Sequence, residues 1–318
     1  MTASGFAAAM RAAFGDRVQE HRPLGPFTTF RVGGPADWLL DVRTGDELAT
    51  ALALAAREGV PLTMLGGGSN VLVADSGVRG LVIRSRGGDI RRIDGGGVRA
   101  DASVTINGLV RWSINHRCAG LEAWAGTPGT VGGAVFGNAH FAGRLIGDLV
   151  TRVRVVSRSG VAVEVPQADL SFDYEGCRLR RTGEILLWAE FHVADGDPAL
   201  LRRVARESLA FRKQTQPLDT PSAGCVFRNP QPGRDAVPEG IPWSAGALVD
   251  RAGLKGATEG GARVSPAHGN FIVNEGRATA DDIRKLIARC RTRVREQFGV
   301  ELREEIVYLG DFDLGARP

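Results

Sequence analysis

The sequence predicts a protein of mixed helices and strands, folded as two or three domains. At 318 residues the chain is long enough to bury a substantial core. Segments with a β-strand pattern alternate along it with segments of helical spacing. With 43% hydrophobic and 24% charged residues, the composition is ordinary for a globular protein. The fold is therefore indicated by the order of the elements, because the composition shows no bias.

The first predicted elements lie between residues 38 and 65. Trp38–Val42 has a strand pattern, and Thr44 then offers a helix N-cap with Glu47 three residues later. Gly59 ends this helix, and Val60–Leu65 is predicted as the next strand. The apolar face of the helix is predicted to comprise Leu48, Ala51, Leu52 and Ala55.

The remaining elements are predicted from the same signals. A helix is expected from about Thr105 to Cys118, stopped by Gly120, and a basic helical stretch follows the polar segment 195–198. The last helix is capped by Thr279 and closed by Gly299. Its buried face is expected to hold Ile283, Leu286, Ile287, Cys290 and Val294. The later strands are predicted at Val150–Val156, Ala162–Val165, Glu184–Phe191 and Val300–Leu309.

Two glycine-dense turns, Leu65–Val73 and Gly126–Ala134, are the most informative motifs. Glycine lets backbone N–H groups crowd round a small anion, and a dinucleotide diphosphate is the ligand favoured here. Tight chain reversals without a ligand are the alternative. The first turn is not the G-x-G-x-x-G fingerprint, because a strand pattern follows Asn70, and it lacks the Gly-Lys-Ser/Thr of a P-loop.

Several other functional classes are disfavoured. No apolar run is long enough to span a bilayer, and Met1–Arg11 has the pattern of a helix and not of a signal peptide. The four cysteines lie far apart and the five histidines are scattered, so we expect no metal site and predict reduced thiols in a cytoplasmic protein. The net charge is +4, but the arginines are not interleaved with aromatic residues. That dispersal favours a small anionic substrate over nucleic acid.

Six motifs, taken together and in order, resemble those of the UDP-N-acetylenolpyruvoylglucosamine reductases. The likeness runs from about residue 25 to Gly310. The matching segments are Thr29–Ala36, Gly66–Val73, Thr127–Asn138, Pro221–Pro230, Ser244–Gly246 and His268–Asn274.

This resemblance implies an α+β fold. An N-terminal segment (1–29) would precede an FAD-binding domain of the p-cresol-methylhydroxylase type (30–195) and a C-terminal α/β domain for the UDP-sugar substrate (196–318). NADPH would reduce the FAD, and UDP-N-acetylglucosamine enolpyruvate would then be reduced to UDP-N-acetylmuramate for peptidoglycan synthesis. The implied FAD contacts are Gly66, Gly67, Gly68, Ser69, Asn70, Thr127, Pro128, Gly129, Gly132, Gly133 and Asn138.

The resemblance also implies which residues act on the substrate. The family's proton donor, a Ser or Cys after Ser-Ala-Gly, matches Cys225, and a thiol of reference pKa near ~8.5 is the better acid of the two. The acidic partner matches Glu305. Considered without the resemblance, Glu305 could be a solvent-exposed carboxylate on an edge strand. Lys213 and Asn229 fall where the family contacts substrate, with Lys213 on the nucleotide diphosphate. The alternatives are a solvated helix face for Lys213 and a local turn cap for Asn229.

The chain departs from the family pattern at its arginine site. Glu175 stands where the family has an arginine, and a negative charge beside the substrate carboxylate opposes catalysis. We expect Arg178 or Arg180 to supply the missing cation from a slipped or bulged strand, with Arg178 preferred and a surface position as the alternative. The short connection from Tyr174 to the next strand places the chain with the family's shorter form, which lacks a long substrate-covering loop.

A second departure from the family pattern concerns the cofactor, and two other functions remain as alternatives. His140 stands where the family usually has glycine, and we expect the cofactor to be held without a covalent bond to it. One alternative function is an oxidase or dehydrogenase of a sugar or hydroxy acid with the same type of flavin domain. The other is a flavin-binding homologue that lost catalysis together with the missing arginine.

Overall fold

The computed structural model describes residues 3–141, 143–174 and 176–312. The α-helices in this part are α1 (Ala3–Phe14), α2 (Gly45–Arg57), α3 (Ile106–Asn115), α4 (Val131–Phe136), α5 (Arg178–Thr182), α6 (Pro198–Thr215), α7 (Ala245–Arg251) and α8 (Ala280–Phe298). The strands are β1 (Val18–Pro23), β2 (Pro35–Val42), β3 (Leu62–Met64), β4 (Val71–Val73), β5 (Val78–Ser85), β6 (Ile90–Arg92), β7 (Val98–Asp101), β8 (Cys118–Ala119), β9 (His140–Phe141), β10 (Arg144–Leu145), β11 (Val150–Val156), β12 (Ala162–Pro166), β13 (Ile185–Phe191), β14 (Ala194–Asp195), β15 (Thr258–Glu259), β16 (Ala262–Val264), β17 (Ile272–Asn274) and β18 (Val307–Leu309). No helix among these is both long and apolar enough to cross a membrane.

The chain divides into two compact units. The first contains the residues up to His21, Asp37–Gly67 and Gly80–Phe211. The second contains Arg22–Ala36, Gly68–Arg79 and the chain from Arg212 onwards. This division differs from the predicted segments 1–29, 30–195 and 196–318. One reason is that α6 begins inside the first unit, where Leu201 is 4% exposed within the core.

The first unit contains two main sheets. One has the order β1-β2-β5-β3, in which β3 and β5 are parallel, and α1 and α2 contribute apolar side chains to its core. The other is antiparallel with the order β12-β11-β13-β7-β6, and α3 and α4 contribute to its core. Trp124 and Phe191 are among the large side chains fully buried there. The two glycine turns both have residues in this unit.

The second unit has a core built from distant parts of the sequence. Phe30 and Leu72 are buried with side chains of α7 and α8, and β15-β16-β17 forms a small antiparallel sheet. The strand β4, which follows the first glycine turn, pairs in parallel with the C-terminal strand β18. The start of α8 is held by Asp75, whose carboxylate accepts from the N–H groups of Ala280 (2.9 Å) and Asp281 (3.0 Å).

Several predicted elements are confirmed. The Thr44 side chain caps α2 by accepting from the Glu47 N–H at 3.2 Å, and all four residues predicted for the apolar face are buried. Helix α8 has a capping box at Thr279 and ends at Gly299 with φ +68°, and its five predicted core residues are also buried. The predicted strand Val150–Val156 has the predicted bounds.

Three predicted elements are substantially shorter than expected. The strand predicted over Val60–Leu65 covers only Leu62–Met64. The helix after Thr105 ends at Asn115, because Cys118 instead pairs with Asp195 in the short β8–β14 ladder. The strand predicted over Val300–Leu309 covers only Val307–Leu309. Before it, Glu304 makes only an isolated bridge with Phe227, so the segment does not continue as a strand.

Candidate active site

In the first unit the two glycine turns lie in direct contact. A Cβ built on Gly67 would lie 2.6 Å from the Gly129 Cα, and one on Gly66 would lie 3.0 Å from the Thr130 Oγ1. No side chain larger than hydrogen fits at Gly67 without moving the backbone of the facing turn. The structure therefore brings together the two motifs that the sequence analysis paired.

The backbone N–H groups of these turns fall into two sets. Several donate within the protein, among them Thr127 to the Trp124 carbonyl (2.9 Å), Gly132 to the Ala102 carbonyl (2.8 Å) and Gly133 to the Thr130 Oγ1 (3.3 Å). Within residues 3–141, 143–174 and 176–312, the amides of Gly66, Gly67 and Gly129 donate to no acceptor. The first set shapes the turns, and the second can donate to an anion.

Two asparagines fix the loops of this region. Asn107, at the start of α3, accepts from the Gly126 N–H (2.7 Å) and donates to the Thr127 carbonyl (3.3 Å). Asn138 is 1% exposed with φ +46°, donates to the Asp173 carbonyl (2.8 Å) and accepts from the Gly147 N–H (3.0 Å). The predicted residue Asn138 thus has its side chain engaged by the protein. Sequence reasoning missed Asn107, which no local motif marks.

In the second unit the first turn continues into the region of Glu305. Gly68 has φ +64°, and a Cβ there would lie 2.1 Å from the Phe27 carbonyl oxygen, which accounts for glycine at this position. The Asn70 Nδ2 donates to the Glu305 carbonyl at 3.2 Å. The Val307 N–H donates to the Asn70 carbonyl at 3.0 Å. Asn70, predicted as a cofactor contact, therefore joins this turn to the segment that carries the acidic residue.

The segment that contains Cys225 lies between two others of the second unit. Cys225 forms a bridge with Phe271 on one side. On the other side the Glu305 N–H donates to the Val226 carbonyl at 2.8 Å. Two residues 80 positions apart in the printed sequence, Cys225 and Glu305, are thereby placed on adjacent extended segments.

The thiol of Cys225 is held in its protonated form. Burial raises its pKa to about 12, and the nearby Glu305 carboxylate adds to the rise. Arg212 and a hydrogen bond with Asn270 oppose it. Arg212 is itself 6% exposed, and burial lowers its pKa to about 10, so it remains a cation at neutral pH. The arrangement is a proton-bearing thiol that interacts electrostatically with a carboxyl group and with a buried guanidinium.

The other predicted substrate residues lie at the surface of the same unit. Lys213 is exposed in the last turn of α6. Asn229 is exposed too, and its Oδ1 accepts from the N–H of Ala245 in the first turn of α7 at 3.0 Å. One part of the Asn229 amide therefore caps a helix, and its Nδ2 remains a donor for a ligand.

The slipped or bulged strand predicted to carry Arg178 is not formed. Residues 178–182 form the short helix α5. The guanidinium of Arg178 makes two hydrogen bonds to the Glu184 carboxylate, at 2.9 and 3.0 Å. The same interaction raises the pKa of Arg178 and lowers that of Glu184. Glu175 lies outside the described residues, and the ring of His140 lies 5.1 Å from that of Tyr174.

Comparisons with known proteins show which proteins the chain is similar to. Residues 36–166 match a family model described as an FAD binding domain, and residues 216–309 match the C-terminal domain of UDP-N-acetylenolpyruvoylglucosamine reductase. Reductases of that name are 37% identical in Synechococcus sp. (95% of this chain, 94% of the relative) and 40% identical in Moorella thermoacetica (93% and 94%). The crystal structure of the reductase from Thermus caldophilus matches with a TM-score of 0.76 at 34% identity, over 92% of this chain and 99% of that one.

Proposed function

Because the chain belongs to the UDP-N-acetylenolpyruvoylglucosamine reductase family, we propose that it reduces UDP-N-acetylglucosamine enolpyruvate to UDP-N-acetylmuramate, with FAD as cofactor and NADPH as reductant. The protein is then a flavin-dependent oxidoreductase of peptidoglycan precursor synthesis. The match extends over nearly the full length of this chain and of its relatives, so both halves of the reaction fall within it. All four cysteines are free thiols, which supports the cytoplasmic location expected from the sequence.

We assign the diphosphate of FAD to the glycine turns of the first unit. The residues present fit such a group, because the amides of Gly66, Gly67 and Gly129 are available as donors on two turns that lie in contact. When bound and reduced by NADPH, FAD would supply the hydride that adds to the terminal carbon of the enolpyruvyl group. The predicted contacts from Thr127, Pro128, Gly132 and Gly133 in the second turn belong to the same proposal.

We assign the proton of the reaction to Cys225. After the terminal carbon of the substrate gains its hydride, the adjacent carbon holds the electron pair, which it shares with the substrate carboxylate. The Cys225 S–H bond breaks as the new C–H bond forms, and the sulfur keeps the negative charge until water returns a proton. The observation that carries this assignment is the protonated thiol on the segment adjacent to Glu305. Glu305 is the acidic partner that the family places beside the substrate.

We assign the cation that faces the developing charge to Arg212. The reaction pushes charge towards the substrate carboxylate, and a fixed cation lowers the cost of that charge. Arg178 does not fit this role, because Glu184 holds its guanidinium. Arg212 is buried and interacts electrostatically with Cys225. Lys213 and the Asn229 Nδ2 are the proposed contacts to the remainder of the nucleotide substrate.

The two halves of the reaction can be tested separately in the purified flavoprotein. The Cys225→Ala variant is expected to let NADPH bleach the flavin at the wild-type rate but to stop reoxidation by UDP-N-acetylglucosamine enolpyruvate, because only proton delivery is removed. Cys225→Ser, which keeps a donor, is the matched control and should recover part of the reoxidation. Normal reoxidation in Cys225→Ala rules out this role for the thiol.

The same material separates the proposal from its rivals. NADPH consumption that depends on the enolpyruvyl nucleotide supports the reductase. Oxygen consumption with simple sugars would instead indicate an oxidase. Bound flavin with no turnover on either would indicate a homologue that has lost catalysis.

A further inference from the structure

We propose that the β12 edge of the five-stranded sheet in the first unit pairs with the same edge of a second copy of this chain, across a two-fold axis at Val163. The product is a weak dimer whose population rises with protein concentration. This interaction surface lies outside the proposed reaction and does not depend on it.

The two edges of this sheet differ in the side chains that they present. Its order is β12-β11-β13-β7-β6, so β12 and β6 are the edge strands. Charged side chains usually protect such edges, because unpaired N–H and C=O groups otherwise bind another strand. The β6 edge has Arg91 and Arg92, both exposed. The β12 edge instead begins with Val161 and Val163, which are 61% and 41% exposed, so it lacks this protection.

The hydrogen-bond pattern shows which backbone groups face the free edge. The Ser157 N–H donates to the Val161 carbonyl at 2.9 Å, so the polar backbone groups of Val161 point towards the β11 side of the hairpin. The ladder between β11 and β12 then continues without a register shift. Because these directions alternate along an antiparallel strand, the N–H and C=O groups of Ala162 and Glu164 point away from β11. They are available to a further strand.

This edge is complementary to itself. An axis at Val163 places Ala162 of each copy opposite Glu164 of the other, and each such pair exchanges two backbone hydrogen bonds. Val163 then faces Val163 of the second copy, with the Cβ atoms about 4.5–5.5 Å apart. On the same face, Val161 of each copy lies opposite Val165 of the other. Val165 is 3% exposed in the core of the first unit, so the pairing extends an existing apolar face.

The charge on this edge is compatible with the pairing. Glu164 is the one charged residue in the segment 161–165. Two arginines of β11 hold its carboxylate, Arg152 at 3.1 Å and Arg154 at 3.4 Å. In the dimer Glu164 lies opposite Ala162 of the second copy, whose side chain is a methyl group. No like charges therefore face each other across the axis, which is the arrangement that an antiparallel pair requires.

The length of the segment limits the strength of the dimer. A stable interface of standard size uses about 20–30 residues a side. The segment 161–165 supplies five residues from each copy. Interfaces that bury less than about 1,200 Å² in total belong to weak, transient complexes. We therefore expect a dissociation constant of roughly 10⁻⁵ to 10⁻³ M.

The test measures the mass of the FAD-loaded full chain by sedimentation velocity, from about 1 μM to about 1 mM. Val163→Lys places two ammonium groups opposite each other across the axis. Ala162→Pro removes an outward N–H and keeps the ladder with β11, because an edge strand tolerates proline where the N–H faces solvent. Leu218→Lys is the matched control, since Leu218 lies in the second unit and is 46% exposed, close to the 41% of Val163.

We expect wild type and Leu218→Lys to dimerise equally, and Val163→Lys and Ala162→Pro to raise the dissociation constant at least roughly tenfold. Amide hydrogen exchange over residues 161–165 should slow in wild type as its concentration rises, and should not slow in those two variants. Retained FAD and a wild-type rate of flavin reduction by NADPH show that each variant is folded.

Two results overturn the inference. A wild-type protein that stays monomeric up to the highest concentration shows that a second copy does not bind this edge, which is then open to a strand of another protein. A dimer of unchanged strength in both Val163→Lys and Ala162→Pro places the interface elsewhere. Because Ala162→Pro carries no new charge, it decides the question even where Val163→Lys does not fold.

Discussion

Replacing Gly67 with alanine tests whether the two glycine turns hold the cofactor. The φ of Gly67 lies outside the left-handed region, so the substitution adds no backbone strain and acts only through the new methyl group. That group would lie 2.6 Å from the Gly129 Cα, and an ordinary contact begins at 3.4 Å. The turns must therefore separate by about 0.8 Å, a distance that breaks or weakens hydrogen bonds from both to a shared anion.

The expected result is weaker FAD binding with a folded protein. Loss of one hydrogen bond to the charged diphosphate costs about 1.5–3 kcal/mol, which corresponds to roughly 10- to 100-fold in the dissociation constant. Calorimetric titration of the apoprotein with FAD measures it. Gly45→Ala is the matched control, because Gly45 has no atom within 4 Å of its added Cβ and also lies outside the left-handed region. Wild-type FAD affinity in Gly67→Ala would refute the assignment of the diphosphate to these turns.

Three further predictions concern the thiol, the cation and a helix cap. Because the pKa of Cys225 is raised to about 12, its alkylation by iodoacetamide should rise about tenfold per pH unit from pH 7 to pH 11, and a plateau near pH 9 would contradict the assigned environment. Arg212→Ala should slow flavin reoxidation at least roughly tenfold. Arg178→Ala should keep the reoxidation rate within about two-fold of wild type, because Glu184 already holds that guanidinium. A larger effect at Arg178 than at Arg212 would support the prediction made from sequence. Asp75→Ala should lower the free energy of unfolding by about 1–2 kcal/mol, measured in urea, because two N–H groups at the start of α8 lose their acceptor.

Local signals in the sequence predicted the elements whose stabilising contacts are themselves local. The cap at Thr44 acts over three residues, and the buried face of α8 repeats with the helical period, so both could be found without a structure. The strand predicted from Val300 failed because Glu304 pairs with Phe227, far away in sequence. Arg178 was predicted on a strand but lies on a short helix. The ion pair between Arg178 and Glu184 leaves no periodic pattern in the sequence that could have indicated this.

The candidate site shows the same limit. Family motifs indicated Cys225 and Glu305, and the structure places them on adjacent segments. The proposed roles of Arg212 and Asn107 were missed, since each depends on residues distant from it in the sequence or on a turn whose position only folding sets. Single arginines and asparagines carry no local signal that distinguishes these roles from a solvated surface.

The pairing of β4 with β18 has a consequence for synthesis on the ribosome. Asn70 emerges 235 residues before its partner Glu305, a delay of about 10–50 s at typical elongation rates of roughly 5–20 residues per second. During that interval Phe30 and Leu72, fully buried at the end, have not yet met the helices that cover them. During this time the apolar side chains of the nascent chain are exposed. A chaperone that shields such segments would improve the yield of folded protein.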